Sequence, residues 1–405
     1  MKKLLIFLLA TLALSACEQP TVDENPSIPI PPNNEIWYTS SDNDIVIPND
    51  ANVFCANIIS NIYNNGMGII TFDGDVTTIG NCTFRYCRSL TSVNIPDSVT
   101  EIGESAFHYC DSLTSVNIPD SVTTIGWGAF YGCSSLTRVT IPDSVTTIGS
   151  SAFSGCDSLT SVNIGDSVTT IGVCAFIDCD SLTSVNIPDS VTEIGERAFS
   201  GCDSLTSVNI PDSVTKIGEG AFTDCDSLTE FSGKFASKDG RCLIIDGTLN
   251  SFAPYGLTEY TIPDSVTEIG EGAFANCYSL TSVNIPDSVT EIGEYAFHEC
   301  ASLTNVNIPD SVTTIGYEAF IYSSRLTSVT IGDRVTSIGE GAFYWCTSLT
   351  SVYCKATTPP ALGGTYVFDY NGSGRKIYVP TGSVNAYMNT QYWSTYRSAI
   401  VGYDF

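Results

Sequence analysis

Apolar residues recur along this chain on a fixed beat. In residues 280–302, LTSVNIPDSVTEIGEYAFHECAS, the apolar set is Leu280, Val283, Ile285, Val289, Ile292, Ala296, Phe297 and Cys300. Leu280, Val283 and Ile285 mark a short extended segment, with Ser282 and Asn284 turned outward. Pro286-Asp287-Ser288 is turn chemistry: proline removes a ladder donor, and aspartate bonds the backbone ahead of it. Val289 and Ile292 mark a second extended segment, which Gly293 ends. Ala296, Phe297 and Cys300 then share one side of a single helical or 3₁₀ turn.

This pattern repeats. The motif I-G-x-x-[AT]-F occurs eleven times, with Phe84, Phe107, Phe130, Phe153, Phe176, Phe199, Phe222, Phe274, Phe297, Phe320 and Phe343. Every interval is 23 residues except the 52 between Phe222 and Phe274, which is 23 plus 29. A fixed period in this range marks stacked repeats. One coil cannot bury its apolar residues alone; stacking sets Leu on Leu and Phe on Phe and makes a continuous core. A chain of 405 residues would otherwise suggest two or three globular domains. The repeat predicts one mainly β solenoid with short helical or 3₁₀ turns, and directs function toward a long surface rather than an enzyme pocket.

The departures from the beat predict the rest of the architecture. Residues 36–66, beginning Ile36-Trp37-Tyr38, read as an N-terminal cap. Regular coils fill 67–227, the first of them atypical, with Met67, Ile70 and Phe72 in place of Leu, Val and Ile. The 228–256 coil breaks after Phe231; Cys242–Ile245 followed by Asp246-Gly247 reads as a strand and tight turn, so a β-hairpin is expected to stand out of the solenoid. Coils resume over 257–352. Residues 353–405 read as a C-terminal cap with a strand at Lys376–Pro380 and a short helix near Val384–Met388. Caps are required, because a bare end coil exposes apolar side chains and unpaired edges.

The N-terminus reads as a targeting segment. Lys2 and Lys3 precede an apolar run, Leu4–Leu14, too short to span a bilayer but suited to a signal peptide. Leu14-Ser15-Ala16-Cys17 resembles the lipobox of bacterial lipoproteins. That resemblance implies removal of 1–16, acylation of Cys17, and a Pro-rich tether over 17–35; the alternative is an ordinary signal peptide cleaved near Ala16. Acyl chains would be the only membrane anchor, and the expected location is the bacterial outer membrane, at the cell surface or, alternatively, facing the periplasm.

Composition narrows the partners. Acids outnumber bases 44 to 16, for a net charge of −28. That balance argues against phosphate-backbone binding, so nucleic acid is not expected, and it disfavours anionic lipid surfaces.

The string L-T-S-V-N-I-P-D-S-V-T-E-I-G-E-x-A-F-x-x-C is similar to the repeat of BspA-like leucine-rich repeat proteins, over roughly residues 67–350. The resemblance implies a right-handed curved solenoid of bacterial surface proteins, with a strand per coil on the concave side. It also implies adhesion to host extracellular-matrix proteins, other surface proteins or glycans. A dozen coils at about 4.8 Å per strand would span roughly 60 Å.

Ten cysteines, from Cys87 to Cys346, share one repeat position and predict a ladder of buried thiols rather than disulfides, since ladder neighbours point the same way. Ser323 takes that position in one coil. The aspartates that follow Pro or Gly in each turn, such as Asp97 and Asp287, form a second ladder. Stacked carboxylates suit Ca²⁺, but turn chemistry explains them and no metal or cofactor is expected. His108 and His298 are the two histidines, eight coils apart, so no His-based site is expected. No nucleophile, metalloprotease or phosphate-loop motif is present, and no catalytic residue is assigned.

The candidate ligand contacts are aromatics at variable positions: Trp127, Tyr131, Tyr295, Tyr317, Tyr344 and Trp345. The opposite face is a monotonous lattice of Ser and Asn, such as Ser282 and Asn284. Three readings stand: a non-catalytic binding or adhesion protein, an envelope spacer with no specific ligand, and, most remote, a glycan hydrolase with an acidic cleft beside the 232–256 hairpin.

Overall fold

The structure is a computed structural model that describes residues 30–49 and 53–405. The signal segment, Cys17 and the tether as far as residue 29 lie outside the described residues. Pro31–Phe405 form one compact unit, the β-solenoid that the repeat predicts, with about 14 turns rather than a dozen.

Each coil contributes one rung to each of two parallel ladders. In the first, Ser161–Asn163 lies between Arg138–Thr140 and Ser184–Val185, with Val162 aligned on Val139 and Val185. In the second, Ile171 lies between Ile148 and Ile194. Partners are 23 residues apart, so equal coil length alone sets the register. The glycine after each second-ladder isoleucine serves close approach: a Cβ on Gly126 would sit 2.7 Å from the Glu104 backbone nitrogen.

The third side of the coil carries the expected 3₁₀ turns and adds a ladder to them. The helical or 3₁₀ turn is present as single 3₁₀-type hydrogen bonds, never as a continuous helix. In one coil the N–H groups of Ala106, His108 and Cys110 donate to carbonyls three residues back. The alternate N–H groups of Ser105, Phe107 and Tyr109 donate to Trp127, Ala129 and Tyr131 of the next coil. Ser105 and Tyr109 are left-handed, with φ of 54° and 55°. A left-handed residue at every fourth position breaks the helix and turns alternate amides toward the neighbouring coil. The third face is therefore itself an inter-coil ladder.

Repeated polar residues bond the backbone of the preceding coil, although the buried Ser213 and Ser288 hydroxyls find no partner among the described residues. Cys110 Sγ donates to the Phe84 carbonyl at 3.0 Å, and Ser323 Oγ makes the equivalent bond to Phe297 at 3.2 Å. The position thus calls for a small donor, not merely a small side chain. Ser121 Oγ donates to the Val99 carbonyl, and the Thr114 and Thr123 hydroxyls to those of Thr91 and Thr100. The ten ladder cysteines are free thiols, all but Cys87 buried, as the ladder predicts, and the five other described cysteines are free as well. Burial pushes the Cys87 thiol up to about 11 and Cys242 up to about 12, which leaves them inert at neutral pH.

Two elements differ from the sequence reading. Strand Glu35–Ser40 lies between Met67–Phe72 and Leu90–Asn94, antiparallel to both. Met67–Phe72 therefore belongs to the cap sheet and is not the first rung. Ile36 and Tyr38 alternate inward as a rung does, so alternation alone cannot say which strand is adjacent. The hairpin exists, with Cys242–Ile245 and Thr248–Phe252 paired antiparallel around Asp246-Gly247. It does not stand out. Leu249 pairs in parallel with Ile269 of the second ladder, and Leu243, Leu249 and Phe252 are buried.

The insertion divides the ladders. The first ends at Glu230–Gly233 and restarts at Glu259–Thr261; the second ends at Lys216–Ile217 and restarts on the hairpin. The phenylalanine stack is interrupted there too: Phe222 meets Phe231 edge-on at 5.8 Å, and Phe274 meets Phe252 at 4.6 Å. At the far end Lys376–Pro380 and Ile400–Tyr403 add two parallel rungs around the helix Val384–Asn389, as the expected cap should.

Candidate binding surface

The first-ladder face is partly self-satisfied. Ser328 Oγ donates to Asn305 Oδ1 at 2.6 Å, and Ser232 to Asn209 at 3.1 Å. The third face carries the varied chemistry instead. Its outward side chains fall in columns one coil apart. One column follows each stacked phenylalanine by two residues and is left-handed; it holds Tyr86, Tyr109, Gly132, Gly155 and Asp178 in the first half, and Glu299, Tyr322, Trp345 and Tyr370 in the second.

All six candidate aromatics lie on this face, in two groups that do not meet. In the first, Tyr131 packs on His108 at 4.7 Å and Tyr109 at 5.4 Å; Trp127 is 49% exposed. In the second, Tyr295 meets Tyr317 edge-on at 5.4 Å, and Tyr344 lies perpendicular to Trp345. Sequence reasoning missed Tyr86, Tyr366 and Tyr370. Tyr86 stacks on Tyr109 at 5.6 Å, and Tyr370 on Trp345 at 4.6 Å and 2°. Their offset of two from Phe84 and Phe368 was the available signal.

The two groups differ in charge. Arg85 lies 4.9 Å over the Tyr86 ring and bonds His108 Nδ1; burial and this guanidinium hold His108 below its ordinary value. In the second group a hydrogen bond to Glu318, with some burial and the nearby carboxylates, pushes the Tyr317 phenol up to about 12.

Between the groups, the broken ladder opens the third face. A cavity of about 370 Å³ there is lined by Arg197, Glu219, Asp224, Glu271, Tyr295 and His298 among others. Arg197 pairs with Glu271 across the insertion. Burial, with a hydrogen bond to Glu271, raises Glu219. A neighbouring groove gathers Asp178, Asp180, Asp203, Asp224 and Asp226.

Six copies of the BspA type leucine rich repeat region match this sequence, over residues 57–180, 148–237 and 248–373. The chain belongs to the BspA-type leucine-rich repeat family. The matches leave out 238–247, the tip of the insertion. Among solved structures, this BspA-type chain is similar to a leucine rich cell surface protein from Faecalibacterium prausnitzii A2-165. The two are 32% identical over 86% of this chain and 90% of that one, with a TM-score of 0.67. The pneumococcal vaccine antigen PcpA, 19% identical over 85% of this chain and 86% of that one, shares the fold at a TM-score of 0.57. No curated protein sequence matches.

The acidic groove gives this BspA-type solenoid a pH signature. Burial and the charges of Asp226, Asp180, Asp224 and Asp178 push Asp203 up to about 6. An acid with a raised folded pKa holds its proton more tightly folded than unfolded. Its contribution is thus present below the ordinary carboxyl value, near 4, and is lost as pH rises through about 6. The melting midpoint is expected to be higher at pH 5 than at pH 7. Asp203→Asn should raise the pH 7 midpoint by about 1–2 °C and flatten the profile; an unchanged profile in scanning calorimetry would contradict this.

Proposed function

We propose that this chain is a surface-displayed, non-catalytic binding protein. It holds an extracellular-matrix protein, another surface protein or a glycan against its third face. The observation that carries the reading is the pair of aromatic clusters exposed on that face, since Tyr and Trp supply rigid amphipathic contact area. Weak contacts repeated along the coils add through effective concentration. Likeness to a cell surface protein supports display outside the cell, and the Leu14–Cys17 string supports acylation at Cys17 as the anchor. No helix among the described residues is long and apolar enough to cross a membrane.

A cleft does lie beside the insertion, as a glycan hydrolase would need. Its Glu219 and Glu271 carboxyls interact, and Arg197 pairs with Glu271, so Glu271 is engaged within the wall rather than held free as a second working carboxyl.

The test is to immobilise residues 31–405 and titrate matrix proteins, microbial surface proteins and a glycan panel. Saturable binding is expected, weakened about tenfold or more by Tyr317→Ser with Tyr344→Ser. No saturable binding across the panel would favour the envelope-spacer reading, in which coils can be added or removed without loss of function.

A further inference from the structure

The left-handed column on the third face holds residues of opposite character. Gly132, Gly155 and Gly201 fill it in three coils, at φ between 65° and 72°. In the last three coils it holds Tyr322, Trp345 and Tyr370, at φ of 59°, 58° and 54°. A left-handed backbone disfavours bulky L side chains, and such strain persists where surroundings or function maintain it. Burial offsets little of it here: the three residues are 41%, 38% and 58% exposed. Consecutive coils thus hold aromatic rings in an unfavourable backbone and leave them substantially in water.

The rings form one patch. Tyr322 lies 6.3 Å from Trp345, Trp345 stacks on Tyr370, and Tyr344 stands edge-on to Tyr370 at 5.3 Å. Carboxylates lie on the same face. Glu299 holds the same column one coil before Tyr322 and accepts from Tyr278, and Glu318 and Glu340 lie beside Tyr317. Among the described residues, none of these three carboxylates is in an ion pair, and no Lys or Arg lies over these rings. The opposite end differs: Tyr86, in the same column, has Arg85 over its ring, and Arg88 pairs with Asp111. One aromatic cluster contains its cation; the other has the rings and the negative charge without one.

We propose that the patch of Tyr322, Trp345 and Tyr370 receives an arginine-bearing basic segment of a protein partner. A guanidinium is planar and weakly hydrated, so it lies against aromatic rings while bonding a carboxylate beside them, which an ammonium does less well. The net charge of −28 steers such a segment in. The inference rests on the non-catalytic binding reading and narrows it to one patch and one partner chemistry.

The test compares residues 31–405 with Trp345→Gly and Tyr370→Gly variants, since glycine already fills this column in other coils. The probes are a short peptide alternating arginine and serine, its lysine counterpart, and neutral oligosaccharides, all near physiological salt. The arginine peptide is expected to bind about fivefold or more tighter than the lysine peptide. Either glycine variant should remove that preference and weaken binding about tenfold, with cooperative melting retained. Equal binding of the two peptides, unchanged in the variants, would reduce the effect to diffuse charge and overturn the proposal. Oligosaccharide binding lost in the variants would make the patch a glycan shelf, overturning the partner class while sparing the broader function. A collapse of melting in the variants, with peptide affinity unchanged, would make the rings packing residues. A wild-type protein that bound neither peptide nor any protein or glycan would overturn both readings.

Discussion

Phe176→Ala is expected to lower the unfolding free energy by about 3–5 kcal/mol. Phe176 is fully buried, stacked on Phe153 at 5.3 Å and on Phe199 at 5.2 Å, with ring planes within 6°. Parallel rings at this spacing are set by the rise between coils rather than by the rings' own offset or edge-on preference. The stabilisation therefore comes mainly from buried area, and the loss has two parts: transfer of the ring, and the cavity left between its neighbours. The coils above and below are held by ladder bonds on the third face, from Phe176 N–H to Ala198 O and from Phe153 N–H to Ala175 O. They cannot collapse into the gap without breaking those bonds, which keeps the cavity term large. Phe176→Leu should cost less, roughly 1–1.5 kcal/mol. Denaturant unfolding of residues 31–405 checks both. A loss below about 1 kcal/mol for the alanine variant would mean that the coils repack freely.

Trp393→Ala should cost a similar amount, about 3–5 kcal/mol, but with a different spatial signature. Trp393 is fully buried in the C-terminal cap, edge-on to Tyr387 at 4.8 Å, and its Nε1–H donates to the Pro360 carbonyl at 2.7 Å. Its removal leaves a cavity and an unpaired buried carbonyl. A solenoid is nearly one-dimensional, so each coil leans mainly on its neighbours. Hydrogen exchange should accelerate in the cap strand Lys376–Pro380 and in Ser351–Cys354, which pairs with it, while Ser161–Asn163 keeps its protection. Uniform acceleration along the chain would show instead that the unit unfolds as one cooperative block.

The legible part of the fold was the part under burial constraint. Phe, Leu, Ile and Cys recur because each must face the interior, and a fixed period of 23 leaves one way to stack them. Asp246-Gly247 was readable as a tight turn because an Asp-Gly pair suits left-handed backbone; both residues have positive φ. The destination of the following strand was not readable. Leu249 and Phe252 are as apolar as any exposed hairpin tip could be, and only their contact with the next coil shows that they join the wall. The binding surface was half legible. The six candidate aromatics lie on one face, but their division into two clusters, and the missed Tyr86 and Tyr370, follow from columns that exist only once coils are stacked.

By itself the sequence determined the content of each coil, the stacking register and the position of the insertion. These depend on which side chains must leave water, a property that periodicity records directly. Only the tertiary structure decided that the Ala-Phe segment forms a third ladder rather than a continuous helix, that strand Glu35–Ser40 intervenes before the first regular rung, and that exposed rings occupy left-handed positions on a face whose carboxylates Glu299, Glu318 and Glu340 are in no described ion pair. The reason is physical: those features depend on backbone handedness and on partners about one coil away, and exposed positions carry no burial penalty to imprint a pattern on the chain.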